Sequence, residues 1–242
     1  MLLKAEFLNA GKRENLKRFS FDMKCLALAI FKLSPRAYRF LRGVLPGETT
    51  LKELVYSIPF QTGFSPAVVN KSKHVVPLLE DLDTYVTMAC DEMALRKGLF
   101  YDTRDVVHGF VDYGSGRTTG EVADHALQFV INWLRKPLKE AVATYFTRNS
   151  CPSKVLKVLI CENIASLQRL GIIVKVCVCD QGSANRSAVR ALIEESGGTA
   201  DNLFIVNGVK VFAIFDPPHL LKNFRTNLMN FDVHFENGKV AK

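Results

Sequence analysis

Two aspartates stand where carboxylates commonly do metal chemistry. Asp91 closes an apolar run, Tyr85-Val86-Thr87-Met88-Ala89-Cys90, that reads as a buried strand, and Asp180 closes a second one, Ile172 to Cys179. In open α/β sheets, ligands collect beyond the carboxyl ends of the strands. If these two strands are neighbours, their carboxylates converge. Two or three such groups can hold a pair of Mg²⁺ ions about 4 Å apart, one activating an attacking oxygen and the other stabilising a leaving one. Hard cations prefer oxygen ligands, so Asp is a better residue type for this work than His or Cys. Position alone does not select the pair. Asp112 and Asp216 also end strands, and an Asp just ahead of a helix, as Asp180 is ahead of Ser183, equally serves as an N-cap. Glu92 points away from Asp91 if the strand continues, and it is not expected to be a ligand.

Other residues carry weaker signals. His219 and Lys222 lie one turn apart on a helix that follows Asp216, where they could face a phosphate or a nucleotide; a Pro-initiated helix with a solvated Lys explains them equally well. Arg96, Lys97 and Arg117 could touch a DNA backbone, but isolated basic loop residues are usually only solvated, and His108 reads as structural. The sequence has no Gly-x-x-x-x-Gly-Lys loop, which argues against a generic nucleotide-binding α/β domain. None of the six cysteines forms a Cys-x-x-Cys pair, so a structural zinc site is not expected. Cys177 and Cys179 fall on one face of their strand and read as reduced, buried residues.

The elements that must position these groups change in character along the chain. Residues 14–42 read as helical, with Leu26 to Phe31 as a buried centre, Ser34-Pro35 as a restart, and Ala37, Phe40 and Leu41 on one side of the second helix. A third helix is expected over Leu51 to Ser57; basic faces on such short helices fit a helix-turn-helix or any small bundle. From Thr84 onward strands dominate: Tyr85 to Cys90, Val106 to Tyr113, Leu127 to Ile131 and Ala141 to Phe146. The periodicity then predicts a helix from Ser153 to Gly171, a strand from Ile172 to Cys179, and a helix from Ser183 to Glu195. A hairpin about Asn207-Gly208 and a helix opened by Pro217-Pro218 complete the series. This order predicts an α/β fold with a mixed sheet.

Composition is compatible with that reading. Apolar residues make up 48% of 242, enough for a real core, and 32 Lys and Arg against 24 Asp and Glu leave a formal charge of +8. Such an excess suits a polyanionic partner, though ordinary solubility charge explains it as well. No apolar stretch reaches the roughly 18 residues a membrane span needs, and Met1 to Arg13 lacks the features of a secretory signal. A soluble, intracellular protein with no membrane partner is expected.

Four motifs occur in order: Asp91-Glu92-Met93-Ala94-Leu95-Arg96-Lys97, His108-Gly109-Phe110-Val111-Asp112-Tyr113-Gly114, Cys179-Asp180-Gln181-Gly182-Ser183-Ala184-Asn185, and Phe215-Asp216-Pro217-Pro218-His219-Leu220-Leu221-Lys222-Asn223. Together with Phe19 to Arg42 upstream, this series closely resembles the P-element transposases and their THAP-domain relatives. The resemblance implies an RNase H-like mixed sheet flanked by helices and preceded by a short helical segment. It divides the chain into a helical segment at 1–60, a helix-turn-helix or linker; the first part of the RNase H-like domain at 61–215; and the start of a GTP-binding insertion domain at 216–242. It further implies metal-dependent cleavage and transfer of DNA strands in the nucleus, with DNA as partner and self-association left open. Asp91 and Asp180 match the family's first two catalytic carboxylates, which bind Mg²⁺ (or Mn²⁺). GTP is implied only where the insertion domain is present, with His219 and Lys222 as its candidate contacts here. The family's third carboxylate, a Glu, comes after that insertion, and neither it nor the zinc-coordinating domain that usually opens the family matches anything in this sequence. An inactive, truncated or domesticated fragment that only binds DNA or protein is therefore the alternative expectation.

Overall fold

The computed structural model describes residues 2–13, 16–57, 61–101, 106–198, 202–234 and 240–241. The chain divides into two compact units, Met1–Phe60 and Gln61–Lys242.

The first unit is helical: α1 (Leu2–Asn9), α2 (Phe21–Leu33), α3 (Pro35–Phe40) and α4 (Glu48–Tyr56). Two serines set its helix starts. Ser20 accepts a hydrogen bond from the Met23 amide, and Ser34 accepts one from Ala37 ahead of Pro35 at the first helical position. Its core is small: Met23, Ala27, Tyr38, Leu45 and Leu51, with Phe31 edge-on to Tyr38 at 5.0 Å and the Tyr38 hydroxyl donating to the Pro46 carbonyl. The sequence reading is corrected in three places. Residues 17–20 are not helical. Of the run Leu26 to Phe31 only Ala27 is fully buried, because so small a unit covers one helix face. On α3 it is Tyr38 that is buried, while Phe40 is 89% exposed.

The second unit is built on a nine-stranded mixed sheet. Its first elements are β1 (Gly63–Phe64), α5 (Pro66–Val75) and β2 (Tyr85–Ala94), then the short β3 (Phe100–Tyr101), β4 (Val107–His108), β5 (Phe110–Asp112) and β6 (Thr118–Val122). Next come β7 (His125–Trp133), β8 (Lys139–Thr147), α6 (Ser153–Arg169), β9 (Ile173–Cys179), α7 (Ser183–Glu195), β10 (Leu203–Val206), β11 (Val209–Phe215) and α8 (Pro217–Asn230). A last pair, β12 (Val233–His234) and β13 (Val240–Ala241), stands apart from the sheet, as does the β3–β4 pair. The main order is β10-β11-β9-β2-β7-β8-β5-β6, with β1 on β8.

This order follows from the connections. The chain leaves β2 and builds β7 and β8 antiparallel on one side; α6 then returns it to β2's other side, where β9 runs parallel to β2. Helix α7 crosses again to β11, which is parallel to β9. Strand order therefore reverses at β2, so a crevice opens between the carboxyl ends of β2 and β9. Alternation supplies the core. Val86, Met88 and Cys90 of β2, with Phe129 and Ile131 of β7 and Val174, Cys177 and Cys179 of β9, form one buried cluster with Leu156, Leu159, Ile160, Ile164 and Leu167 of α6. The α6 residues recur at helical spacing, and burying each such side chain contributes about 1.5–3 kcal/mol.

Two expected strands differ from the reading. β2 runs on to Ala94 rather than ending at Asp91, because β7 pairs with it as far as Ala94 opposite His125. The single strand expected over Val106 to Tyr113 is split at Gly109, whose φ is +114° and where any Cβ would run into the Gly98 carbonyl oxygen. Among the described residues no helix is long and apolar enough to cross a membrane.

Candidate metal centre

The two parallel strands bring the predicted aspartates together. Met88 is level with Cys177 and Ala89 with Val178; carried two residues further, that register sets Asp91 beside Asp180. Neighbouring strands lie about 4.8 Å apart, so the two residues are within reach of a shared ion. Both line one cavity of about 330 Å³, with Glu92, His125 and Asn185 also on its wall.

Asp180 has a structural role as well. Its Oδ1 accepts hydrogen bonds from the Gly182 amide at 2.8 Å and from the Asn185 side chain, which fixes the turn that starts α7. A Cβ on Gly182 would lie 3.0 Å from that same oxygen, so the turn is tight around the carboxylate. The N-cap of α7 is Gly182, not Asp180, so Asp180 holds the turn ahead of the helix rather than capping it; that role is compatible with the ligand reading, since Oδ2 has no partner among the described residues. Asp91 is exposed, and its Oδ1 accepts only from the adjacent Glu92 amide at 2.8 Å. Glu92 is tied elsewhere: its Oε1 accepts from the Cys151 amide at 2.7 Å and the Thr147 hydroxyl at 3.3 Å, at the head of α6.

His125 lines the cavity although the sequence reading did not single it out. Its Nδ1–H donates to Asp124 Oδ1 at 2.7 Å; the same oxygen accepts from the Asn149 amide at 2.6 Å, and Lys97 Nζ sits 3.1 Å from Oδ2. A carboxylate that fixes one ring nitrogen sets the orientation of the ring and leaves the other nitrogen available. The available signal was the Asp-His pair just ahead of the Ala126-Leu127 run. The His125 hydrogen bond, then the Asn149 amide and Lys97, hold the Asp124 carboxyl well below the usual carboxylate range. A group depressed in the folded state stabilises above its unfolded value of about 4 and loses that contribution as pH falls through the folded value. The urea midpoint is therefore expected to fall more steeply between pH 4 and pH 2 in the native sequence than in Asp124→Asn. Parallel curves would mean that Asp124 contributes nothing to acid stability.

The thiols beside the site are kept protonated. Burial, with Glu92 next, pushes Cys151 up to about 12. A hydrogen bond with Cys177 and then burial raise Cys90, and a hydrogen bond with Cys90 and then burial raise Cys179. Thiolate is the form that binds metals, so these three make poor ligands.

Neither Asp112 nor Asp216 lines the cavity, although the register of β11 on β9, with Phe215 level with Cys179, sets Asp216 beside Asp180 as well. Asp112 Oδ1 accepts from the Gly114 amide at 2.7 Å and closes a turn, while Asp216 Oδ2 pairs with His219 Nδ1 at 2.7 Å. His219 and Lys222 are exposed on α8, and neither lines the cavity with Asp91 and Asp180. Arg117 is committed to Glu162 through two hydrogen bonds, and Lys97 to Asp124. Among the described residues no three His, Cys, Asp or Glu side chains are grouped to hold a metal ion.

Comparison with known proteins bears on the family and the fold. The family model described as TNP-like, RNase H N-terminal domain matches residues 60–193. The "Transposable element P transposase" of Drosophila melanogaster is 24% identical over 238 residues, which are 97% of this chain and 29% of that protein. In the solved "Drosophila P element transposase strand transfer complex", a chain 24% identical aligns with a TM-score of 0.69 over 98% of this chain and 49% of its own length. The chain thus spans half or less of the relatives it matches. The RNase H-like mixed sheet flanked by helices, expected from the sequence, is the fold found, and the resemblance drawn from the four motifs holds.

Proposed function

The chain belongs to the TNP-like transposase RNase H N-terminal domain family, and from that premise we propose that it takes part in metal-dependent cleavage and transfer of DNA strands, with Asp91 and Asp180 as ligands of Mg²⁺ or Mn²⁺. The observation that carries this reading is the strand register that sets these two residues level at the mouth of one cavity. Among the described residues, each presents an oxygen without another partner. Mg²⁺ characteristically keeps several waters and takes one or two carboxylates together with substrate phosphates, so two carboxylates at an open cavity suit it. The ion would supply charge at the reacting phosphate and an activated oxygen. The protein's own part is to hold the carboxylates: β2 fixes Asp91, and the Gly182 amide and Asn185 fix Asp180. DNA enters as substrate through the relative named for its strand transfer complex, and the nucleus as the place where such a substrate is met.

A second reading has an observation in its favour. No group of three ligands occurs among the described residues, and on this reading the chain is a module that binds DNA or protein without cutting. The two readings separate in one experiment. Nicking of supercoiled DNA by the chain in 5–10 mM Mg²⁺ or Mn²⁺, on the order of concentrations that fill a weak two-carboxylate site, is expected and should vanish in Asp91→Ala. DNA that is bound but left uncut under both ions assigns the chain to the binding module.

A further inference from the structure

His125 opens β7 and lines the same cavity as Asp91 and Asp180, yet the two-carboxylate centre gives it no part. Its ring is braced from one side. Nδ1–H donates to Asp124 Oδ1 at 2.7 Å, and the buried Asp124 is itself anchored by the Asn149 amide at 2.6 Å and by Lys97 Nζ at 3.1 Å. A carboxylate held in this way fixes the orientation of an imidazole. The His125 side chain still keeps 30% of its surface exposed, and among the described residues Nε2 has no partner. A supporting shell around a polar atom that is left unpaired at a cavity is how proteins pre-organise a ligand contact.

What it contacts follows from its place. Asp91 stands opposite Gln128 of β7, and His125 comes three residues earlier, opposite Ala94. Three residues of strand span about 10 Å. An ion at Asp91 and Asp180 and the His125 ring are therefore too far apart to share one phosphate, whereas a DNA strand, with a phosphate at every nucleotide, can meet both. A third metal ligand is the poorer role, since no three His, Cys, Asp or Glu side chains among the described residues are grouped for one. An anion beside an imidazole favours the form with an N–H at each nitrogen, and that form donates to a carboxylate and to a phosphate at once. We propose that His125 Nε2–H donates to a phosphodiester oxygen of DNA neighbouring the phosphate that reacts, and so helps to set which phosphate lies over the Asp91–Asp180 centre. The choice of DNA over a free phosphate rests on the proposed reaction.

Two substitutions separate this contact from a structural role. The side-chain nitrogen of Asn falls where Nδ1 stands and that of Gln where Nε2 stands, so His125→Asn keeps the bond to Asp124 and His125→Gln keeps a donor toward the cavity. Binding of the full chain to a fluorescent duplex of about 20 base pairs, on the order of a single-module site, is followed by anisotropy in EDTA, where no ion bridges protein and phosphate. His125→Asn should bind about tenfold more weakly, the effect of one charge-assisted hydrogen bond, and His125→Gln within about threefold of the native chain. In Mn²⁺, His125→Asn should raise KM for nicking by a similar factor and leave kcat within about twofold, because a contact away from the reacting phosphate is made equally before and during the reaction. His74→Ala, at an exposed histidine of α5, should change neither. Native duplex affinity in His125→Asn overturns the proposal, and loss of inorganic phosphate binding beside it would reassign the ring to a free anion. A loss in His125→Gln at least as large as in His125→Asn overturns it too. Failure of the native chain to bind Mn²⁺ by calorimetry would sink the metal reading alone, since the affinities in EDTA still decide the part of His125.

Discussion

Phe129→Ala is expected to destabilise the Gln61–Lys242 unit by about 3–5 kcal/mol, a large share of the 5–15 kcal/mol that holds a typical domain folded. Phe129 is fully buried on β7, opposite Cys90 of β2 and Ala143 of β8, so its ring sits at the middle of the sheet. It meets Tyr145 edge-on at 5.8 Å. Tyr145 in turn hydrogen-bonds Asn163, whose amide donates to the Leu159 carbonyl at 2.7 Å, so the ring's neighbour fastens the sheet to α6. Truncation would open a cavity beneath a buried polar network that tolerates little relaxation. With a urea dependence of about 2 kcal/mol per molar, the midpoint should drop by roughly 1.5–2.5 M. Trp133, the one tryptophan, lies on the same strand and reports the transition by fluorescence. A loss below about 1 kcal/mol would show that the sheet closes over the gap and that the Phe129–Tyr145 contact is not central.

How far the fold could be read depended on what each local pattern encodes. Helix α7 and the β10–β11 hairpin were legible to the residue, because Gly197-Gly198 stops the helix and Asn207-Gly208 both adopt positive φ, as a tight hairpin turn demands. The end of β2 was not. Its apolar alternation stops at Cys90, yet β7 continues to pair with it through Glu92, Met93 and Ala94; hydrogen bonding outlasted burial, and only burial shows in the sequence. Helix α5, polar through Asn70-Lys71-Ser72-Lys73-His74, gave no clear periodic signal, and α1 was read as plain N-terminus.

The site was half legible for a related reason. Each aspartate could be found at a strand end, but their juxtaposition depends on the α6 crossover that lays β9 against β2, a long-range fact with no local trace. The motif series supplied what periodicity could not. His125 escaped because its role comes from Asp124, Asn149 and Lys97 meeting in space.

Asp180→Asn should separate the two duties of this side chain. Asparagine keeps an oxygen that can accept from the Gly182 amide and the Asn185 side chain, so the turn ahead of α7 survives and stability should stay within about 0.5 kcal/mol of the native sequence. The charge is lost, and with it the attraction that draws a divalent ion from its water shell. Replacing a supporting neighbour of a ligand already weakens metal sites by about 10–100-fold, so removing a ligand should exceed 100-fold and take Mn²⁺ binding by calorimetry below detection. Asp180→Ala removes both functions and is expected to cost about 1 kcal/mol besides, from the lost hydrogen bond to the Gly182 amide. Asp91→Asn completes the set: Asp91 is exposed and bonds only its own neighbour's amide, so metal binding should vanish with no measurable change in the urea midpoint. Native Mn²⁺ affinity in Asp180→Asn would confine that residue to holding the turn ahead of α7 and leave Asp91 alone, too few oxygens for a metal centre. Loss of binding in both asparagine variants, with stability lost only in Asp180→Ala, fits one arrangement: two carboxylates held by different local structures and joined by the register of β2 and β9.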